Sequence, residues 1–126
     1  PGTYNLVDHI FNVHDLENPM KLRYETGKCL ELGAATGALS LALMKTGKFD
    51  IITSDIDDGG IVEENIHWNY HHNGSEPPRH IPHTWGNGWS KENECTYGFK
   101  FIIASDILLY VSVYPLLVQT LKEIFE

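Results

Sequence analysis

The chain has 126 residues, 42% of them hydrophobic and 21% charged, with a formal net charge of -8 and two cysteines. That is the composition of one ordered domain with a modest core rather than a disordered tract. It speaks against a nucleic-acid partner, which needs a basic stripe, and against a membrane span, which needs roughly 20 consecutive apolar residues. Two cysteines are too few for a disulfide framework, so the expected setting is reducing and cytoplasmic, with the nucleus as the alternative.

Thr3 can cap a first helix whose apolar positions Leu6, Val7, Ile10 and Phe11 recur at helical spacing. Residues 12–26 are polar and read as a connection. A strand follows at 28–32, carrying Cys29 as a buried thiol, and then a helix that Gly47 ends. A second strand spans 49–55. Gly59-Gly60 opens a helix with Ile61, Val62, Ile66 and Tyr70 on one face, closed by Asn73-Gly74. Pro77-Pro78 breaks the chain before a short strand at 79–85. Residues 86–98 form a loop rich in glycine and polar residues, with Cys95 in it. The apolar run 99–104 is a fourth strand, ending in Ser105-Asp106. Pro115 suits the first turn of a last helix that carries Leu116, Leu117, Leu121, Ile124 and Phe125.

Strands alternating with helices predict an α/β, Rossmann-like parallel sheet with helices on both faces and right-handed crossovers. The run 99–104 is nearly continuous apolar sequence, which suits a strand covered on both faces. Only one helix follows it. In the common order third, second, first, fourth, this strand would be a bare apolar edge. The expectation is therefore one partial domain over 1–126, cut short after the fourth strand and its helix, with the N-terminal part and the later strands lying in a longer protein.

The run Glu31-Leu32-Gly33-Ala34-Ala35-Thr36-Gly37 takes a strand through a turn of small residues into a helix. Such a turn lets a ligand lie against bare backbone. It is not the dinucleotide fingerprint, because Ala35 and Leu39 stand away from the required glycine spacing. An acid ahead of the turn would repel a pyrophosphate and suits a ligand with a cationic end, such as an amino acid moiety. Asp55 ends the next strand 24 residues after Glu31, close to the offset of an acid that accepts ribose hydroxyls. Asp57 and Asp58 are rivals, with helix capping as their other reading. Trp85 ends the third strand, where an indole can stack on a purine or serve as a core aromatic. Glu31, Asp55, Trp85 and Asp106 thus meet at the strand ends, where open α/β sheets bind ligands. His67, His71, His72, His80 and His83 span a helix, a broken loop and a strand. They lack the consistent geometry of a metal site, and none is expected.

On that turn, on Thr53-Ser54-Asp55, on Glu64-Asn65-Ile66-His67-Trp68-Asn69, on Thr84-Trp85-Gly86 and on Ser105-Asp106-Ile107-Leu108-Leu109-Tyr110, the chain resembles the class I, seven-strand S-adenosylmethionine-dependent methyltransferases. Within them it is most similar to the lysine-type protein methyltransferase branch, which has nicotinamide N-methyltransferase-like relatives. The resemblance implies S-adenosyl-L-methionine as cofactor and a protein lysine as methyl acceptor. It implies that Glu31, Gly33, Ala34, Ala35 and Gly37 form the turn facing the methionine and ribose portion. It further implies that Asp55 holds the ribose hydroxyls, that Trp85 lies beside the adenine and that Ser105 sits near the sulfonium. Asp106, which would orient the amine, and Tyr110 would line the acceptor side. Two local departures stand out: Ala35 replaces a common glycine, and Asp106 and Tyr110 are four apart where the family pattern has three. The acidic chain is compatible with a basic protein substrate, without nucleic acid or membrane. Three other readings stay open: a small-molecule N-methyltransferase, an interaction protein that keeps the fold, and a dinucleotide oxidoreductase. Glu31 and the missing glycine spacing disfavour the last.

Overall fold

The computed structural model describes residues 26–91 and 94–126; the helix expected on Leu6, Val7, Ile10 and Phe11 lies outside them. Four parallel strands form one sheet: β1 (Gly27–Leu32), β2 (Phe49–Asp55), β3 (Arg79–Pro82) and β4 (Phe101–Ala104). Their order is β3-β2-β1-β4, as the alternation of elements predicts. The helices are α1 (Ala38–Met44), α2 (Ile61–His72) and α3 (Tyr114–Phe125), with short 3-10 turns at Glu94–Thr96 and Val111–Val113.

Side chains of β1 alternate between the two sheet faces. Cys29 packs with Leu39 and Leu43 of α1 and with Ile51 and Ile103. Leu30 and Leu32 turn the other way, onto Ile52, Trp89 and the α3 residues Leu117 and Ile124. Both faces are covered, which is why β1 reads as apolar sequence interrupted by one acid. Full burial of an aliphatic side chain such as Leu30, at 0% exposure, contributes about 2 kcal/mol. A third cluster of Ala34, Ile66 and Tyr70 seats α2 against the turn that leaves β1.

Element ends differ from the sequence reading for local reasons. The helix α1 stops at Met44, and Gly47 closes a separate turn at φ 68° by donating to the Met44 carbonyl. The strand β3 stops at Pro82, after which the chain folds into a turn in which Asn87 N–H reaches the Thr84 carbonyl. Trp85 therefore stands in that turn rather than on the strand. The strand β4 begins at Phe101, and Phe99 packs instead against Trp89 with ring centroids 6.4 Å apart. On α2 the inward face is narrower than expected, since Ile61 is 62% exposed while Ile66 and Tyr70 are buried. On α3, Phe125 is exposed and Thr120 is buried. Among the described strands β4 pairs only with β1, so it forms the edge that the strand order implies, although its apolar sequence suits a strand covered on both faces.

Candidate active site

The turn after β1 is wound by left-handed residues: Gly33 at φ 66°, Ala35 at 48° and Gly37 at 71°. Gly33 is required by space as well, because a Cβ there would meet Ile107 Cγ2 at 2.7 Å. Two neighbouring elements, β2 and α2, pin the turn through three hydrogen bonds. Ala34 N–H donates to the Ser54 carbonyl at 3.1 Å, and Ala35 N–H donates to Asp55 Oδ2 at 2.7 Å. From α2, Asn69 Nδ2 donates to the Thr36 carbonyl at 2.9 Å. Asp55 also accepts the Ile56 N–H through Oδ1 at 2.7 Å.

Glu31 shares the β1 face of Cys29 and is 3% exposed. Its Oε2 accepts the Ser40 N–H at 3.1 Å, while Ser40 Oγ donates to the Gly37 carbonyl at 2.9 Å. Burial, aided by the nearby Asp55 charge and opposed by Ser40, pushes the Glu31 carboxyl up to about 7. Burial and then Glu31 push the Cys29 thiol up to about 12. The Tyr70 hydroxyl is also pushed up to about 12, chiefly by burial; it lies beside Ser40 and Glu31 and completes no hydrogen bond.

Of the two rivals of Asp55, neither lines the paired hollows, and the carboxylate of Asp58 is engaged elsewhere. Asp58 Oδ1 accepts the N–H groups of Gly60 and Ile61 at 3.2 and 2.9 Å, which satisfies open donors at the start of α2. Asp57 offers its own N–H to Thr84 Oγ1 at 3.3 Å. Of the histidines, His72, His80 and His83 have side-chain partners of their own. His80 Nδ1 pairs with Thr53 Oγ1 at 3.0 Å, Trp68 stacks on His72, and His83 Nε2 lies 3.4 Å from Thr120 Oγ1. Burial lowers the His80 and His83 pKa values below the ordinary 6.5. Among the described residues, no group of three or more His, Cys, Asp or Glu could hold a metal ion.

Two adjoining hollows open where the strands end. One, of about 470 Å³, is lined by Glu31, Gly33, Ala34, Ala35, Asp55, Trp85, Ser105, Asp106 and Tyr110, among others. The second, of about 360 Å³, shares Gly33, Asp55, Trp85 and Tyr110 and adds Ile56, His83, Thr84 and Leu116. Of the candidate residues, Gly37 does not line these hollows; it packs where a Cβ would touch Ile66 and Tyr70. Asp106 takes a left-handed φ of 58°, which aspartate tolerates, and its Oδ2 accepts Ser105 Oγ–H at 3.3 Å. Tyr110 is 70% exposed at the rim of both hollows.

Sequence reading missed Ile56, whose only sign was an apolar residue immediately after the strand-ending acid. It also missed the brace behind Trp85. Thr120 of α3 accepts the Gly86 N–H at 3.1 Å, Glu123 accepts the Trp89 N–H at 2.7 Å, and Trp89 Nε1 donates to the Thr96 carbonyl at 2.6 Å. Gly86 itself allows the close seat of Leu116, whose Cδ2 would be 2.8 Å from a Cβ there.

Carboxylates from three strand ends line the paired hollows and, among the described residues, no lysine or arginine does, so the site suits a cationic ligand and disfavours a phosphate. The glycine-rich turn, strand-end acid and apolar recess together define the class I methyltransferase fold. A solved structure with this fold, described as that of a candidate S-adenosyl-L-methionine-dependent methyltransferase from Methanococcus maripaludis, superposes with a TM-score of 0.64 at 18% identity. The match covers 97% of this chain and 52% of that one. The chain belongs to the lysine methyltransferase family, whose model matches residues 6–126. A relative described as EEF1A lysine methyltransferase 3, from Xenopus tropicalis, is 28% identical over 102 residues, or 81% of this chain. The chain spans 43% of that relative's length.

Proposed function

We propose that this chain forms the cofactor-binding part of an S-adenosyl-L-methionine-dependent N-methyltransferase that acts on a protein lysine. The observation that carries this reading is the charge and shape of the paired hollows: Glu31, Asp55 and Asp106 beside an apolar recess of Ile56, Trp85 and Leu116. When bound, S-adenosylmethionine supplies an electrophilic methyl group on sulfur. Asp55 accepts the ribose hydroxyls with the lone pairs that Ala35 and Ile56 leave open. Trp85 and Ile56 enclose the adenine, and the turn 33–35 presents backbone to the ribose and methionine portion. Glu31 faces the cationic amino acid end, and Ser105 stands near the sulfonium. Asp106 orients the acceptor amine, which must arrive neutral, and Tyr110 shields it from water at the rim.

The relative named for EEF1A supports protein lysine as the acceptor class. The test is to incubate the full-length protein and labelled S-adenosylmethionine with a cell extract, then identify the labelled species. Label on a lysine of a protein supports the reading. Label confined to small molecules transfers the assignment to a small-molecule N-methyltransferase, and no label with no calorimetric binding of the cofactor removes it.

A further inference from the structure

Glu31 lines the larger of the two hollows in an arrangement that the placement of a cationic ligand does not by itself explain. The carboxyl is 3% exposed and receives one backbone donor, Ser40 N–H. The Tyr70 hydroxyl, buried near Ser40 and within the field of the Glu31 carboxyl, completes no hydrogen bond, although a buried hydroxyl ordinarily finds a partner. The groups facing Glu31 are Cys29 on its own strand, Asp55 and the register partner Thr53 on β2, Ile103 on β4, Ser40 on α1 and Tyr70 on α2. Among the described residues, none of the groups facing Glu31 is a cation. With no counter-charge among them and with repulsion from Asp55, the acid form is favoured, in line with its pKa near 7.

We propose that Glu31 couples cation binding to proton release: it carries a proton in the ligand-free hollow and gives it to solvent when a cationic ligand enters, and the Tyr70 hydroxyl then donates to the resulting carboxylate. The O–H bond of Glu31 breaks, its proton leaves to water, and the ligand's positive charge replaces it. The carboxylate keeps the Ser40 N–H as donor and offers the orphaned Tyr70 hydroxyl an acceptor. This rests on the cofactor reading above and adds a proton to the binding equilibrium.

The test is titration calorimetry of the full-length protein with S-adenosylmethionine, in two buffers of different ionisation enthalpy. It is run at about pH 6, where the ligand's own amine is already charged. The expected result is release of close to one proton per ligand bound. Release disappears in Glu31→Gln and is absent for adenosine, which fills the recess without a cation. In Tyr70→Phe, the acid edge of the release window moves to higher pH, because the carboxylate has lost a donor. Infrared titration of the ligand-free wild-type protein gives an independent reading, a carboxyl with a midpoint near 7 rather than near the ordinary 4.5. Binding without proton release overturns this inference and leaves the cofactor reading standing; so does release that persists in Glu31→Gln. Absence of any S-adenosylmethionine binding overturns both.

Discussion

Asp55 Oδ2 accepts the Ala35 backbone N–H at 2.7 Å, so the acid that ends β2 holds the turn that leaves β1. One residue thereby shapes the backbone cradle and lines both hollows. Removing a charge-assisted hydrogen bond costs about 1.5–3 kcal/mol. Asp55→Ala is expected to weaken S-adenosylmethionine binding at least about tenfold. Asn, which keeps an acceptor without the charge, should lie between. Calorimetry on both variants decides it, and unchanged affinity in the alanine variant would remove the ribose assignment.

Ala35 occupies a left-handed φ of 48°, where its Cβ is crowded. Glycine relieves that strain by about 1–2 kcal/mol, partly offset by the greater freedom of glycine in the unfolded chain. Ala35→Gly should therefore stabilise the protein by about 1 kcal/mol in urea denaturation. A loss of stability would mean that the methyl group is packed rather than strained.

The pH dependence of stability follows from Glu31. Its pKa is about 7 when folded and 4.5 in the reference state, so the native protein binds more protons between those values. Stability is retained in full below about pH 4.5, falls as pH rises through the window and is lost above about 7, by on the order of 3 kcal/mol. Glu31→Gln should abolish this slope and be the more stable variant at about pH 8. His80 and His83 act in the opposite direction. Their pKa values are lowered, so their contribution is lost as pH falls below the ordinary 6.5. Denaturation midpoints of wild type and variant at the two ends of the window separate the effects.

Thr120 ties α3 to the turn that carries Trp85 by accepting the Gly86 N–H at 3.1 Å. Thr120→Val keeps the shape and strands that donor, which should cost about 1–3 kcal/mol. Thr120→Ser keeps the acceptor and should recover most of the loss. A large loss in Thr120→Ser with little loss in Thr120→Val would show that the methyl contact, not the hydrogen bond, holds the turn.

Much of the sheet was legible because its cause is local. Runs such as Cys29-Leu30 and Ile51-Ile52 are buried on both faces, so their strands show as apolar stretches whatever the connections do. The acids Glu31 and Asp55 and the glycines between them lie on the tips that parallel topology brings together, so most of the candidate site could be placed by position in the chain. Gly37 could not be: the turn's winding directs it toward Ile66 and Tyr70 and away from the hollows. The loop 86–98 read as polar, and only packing shows Trp89 within it as a core residue, 8% exposed.

The order of elements, the turn of small residues and the acids at the strand ends were set by the sequence itself, because periodicity and glycine content act over a few residues. Tertiary structure alone decided that Asp55 grips Ala35, that Asp58 serves its own helix, that Thr120 and Glu123 brace the turn beside Trp85, and that Tyr70 stands unpaired beside Glu31. Those relations depend on angles and burial between segments far apart in the chain, where a hydrogen bond or a shifted proton is decided by a few tenths of an ångström and by the exclusion of water.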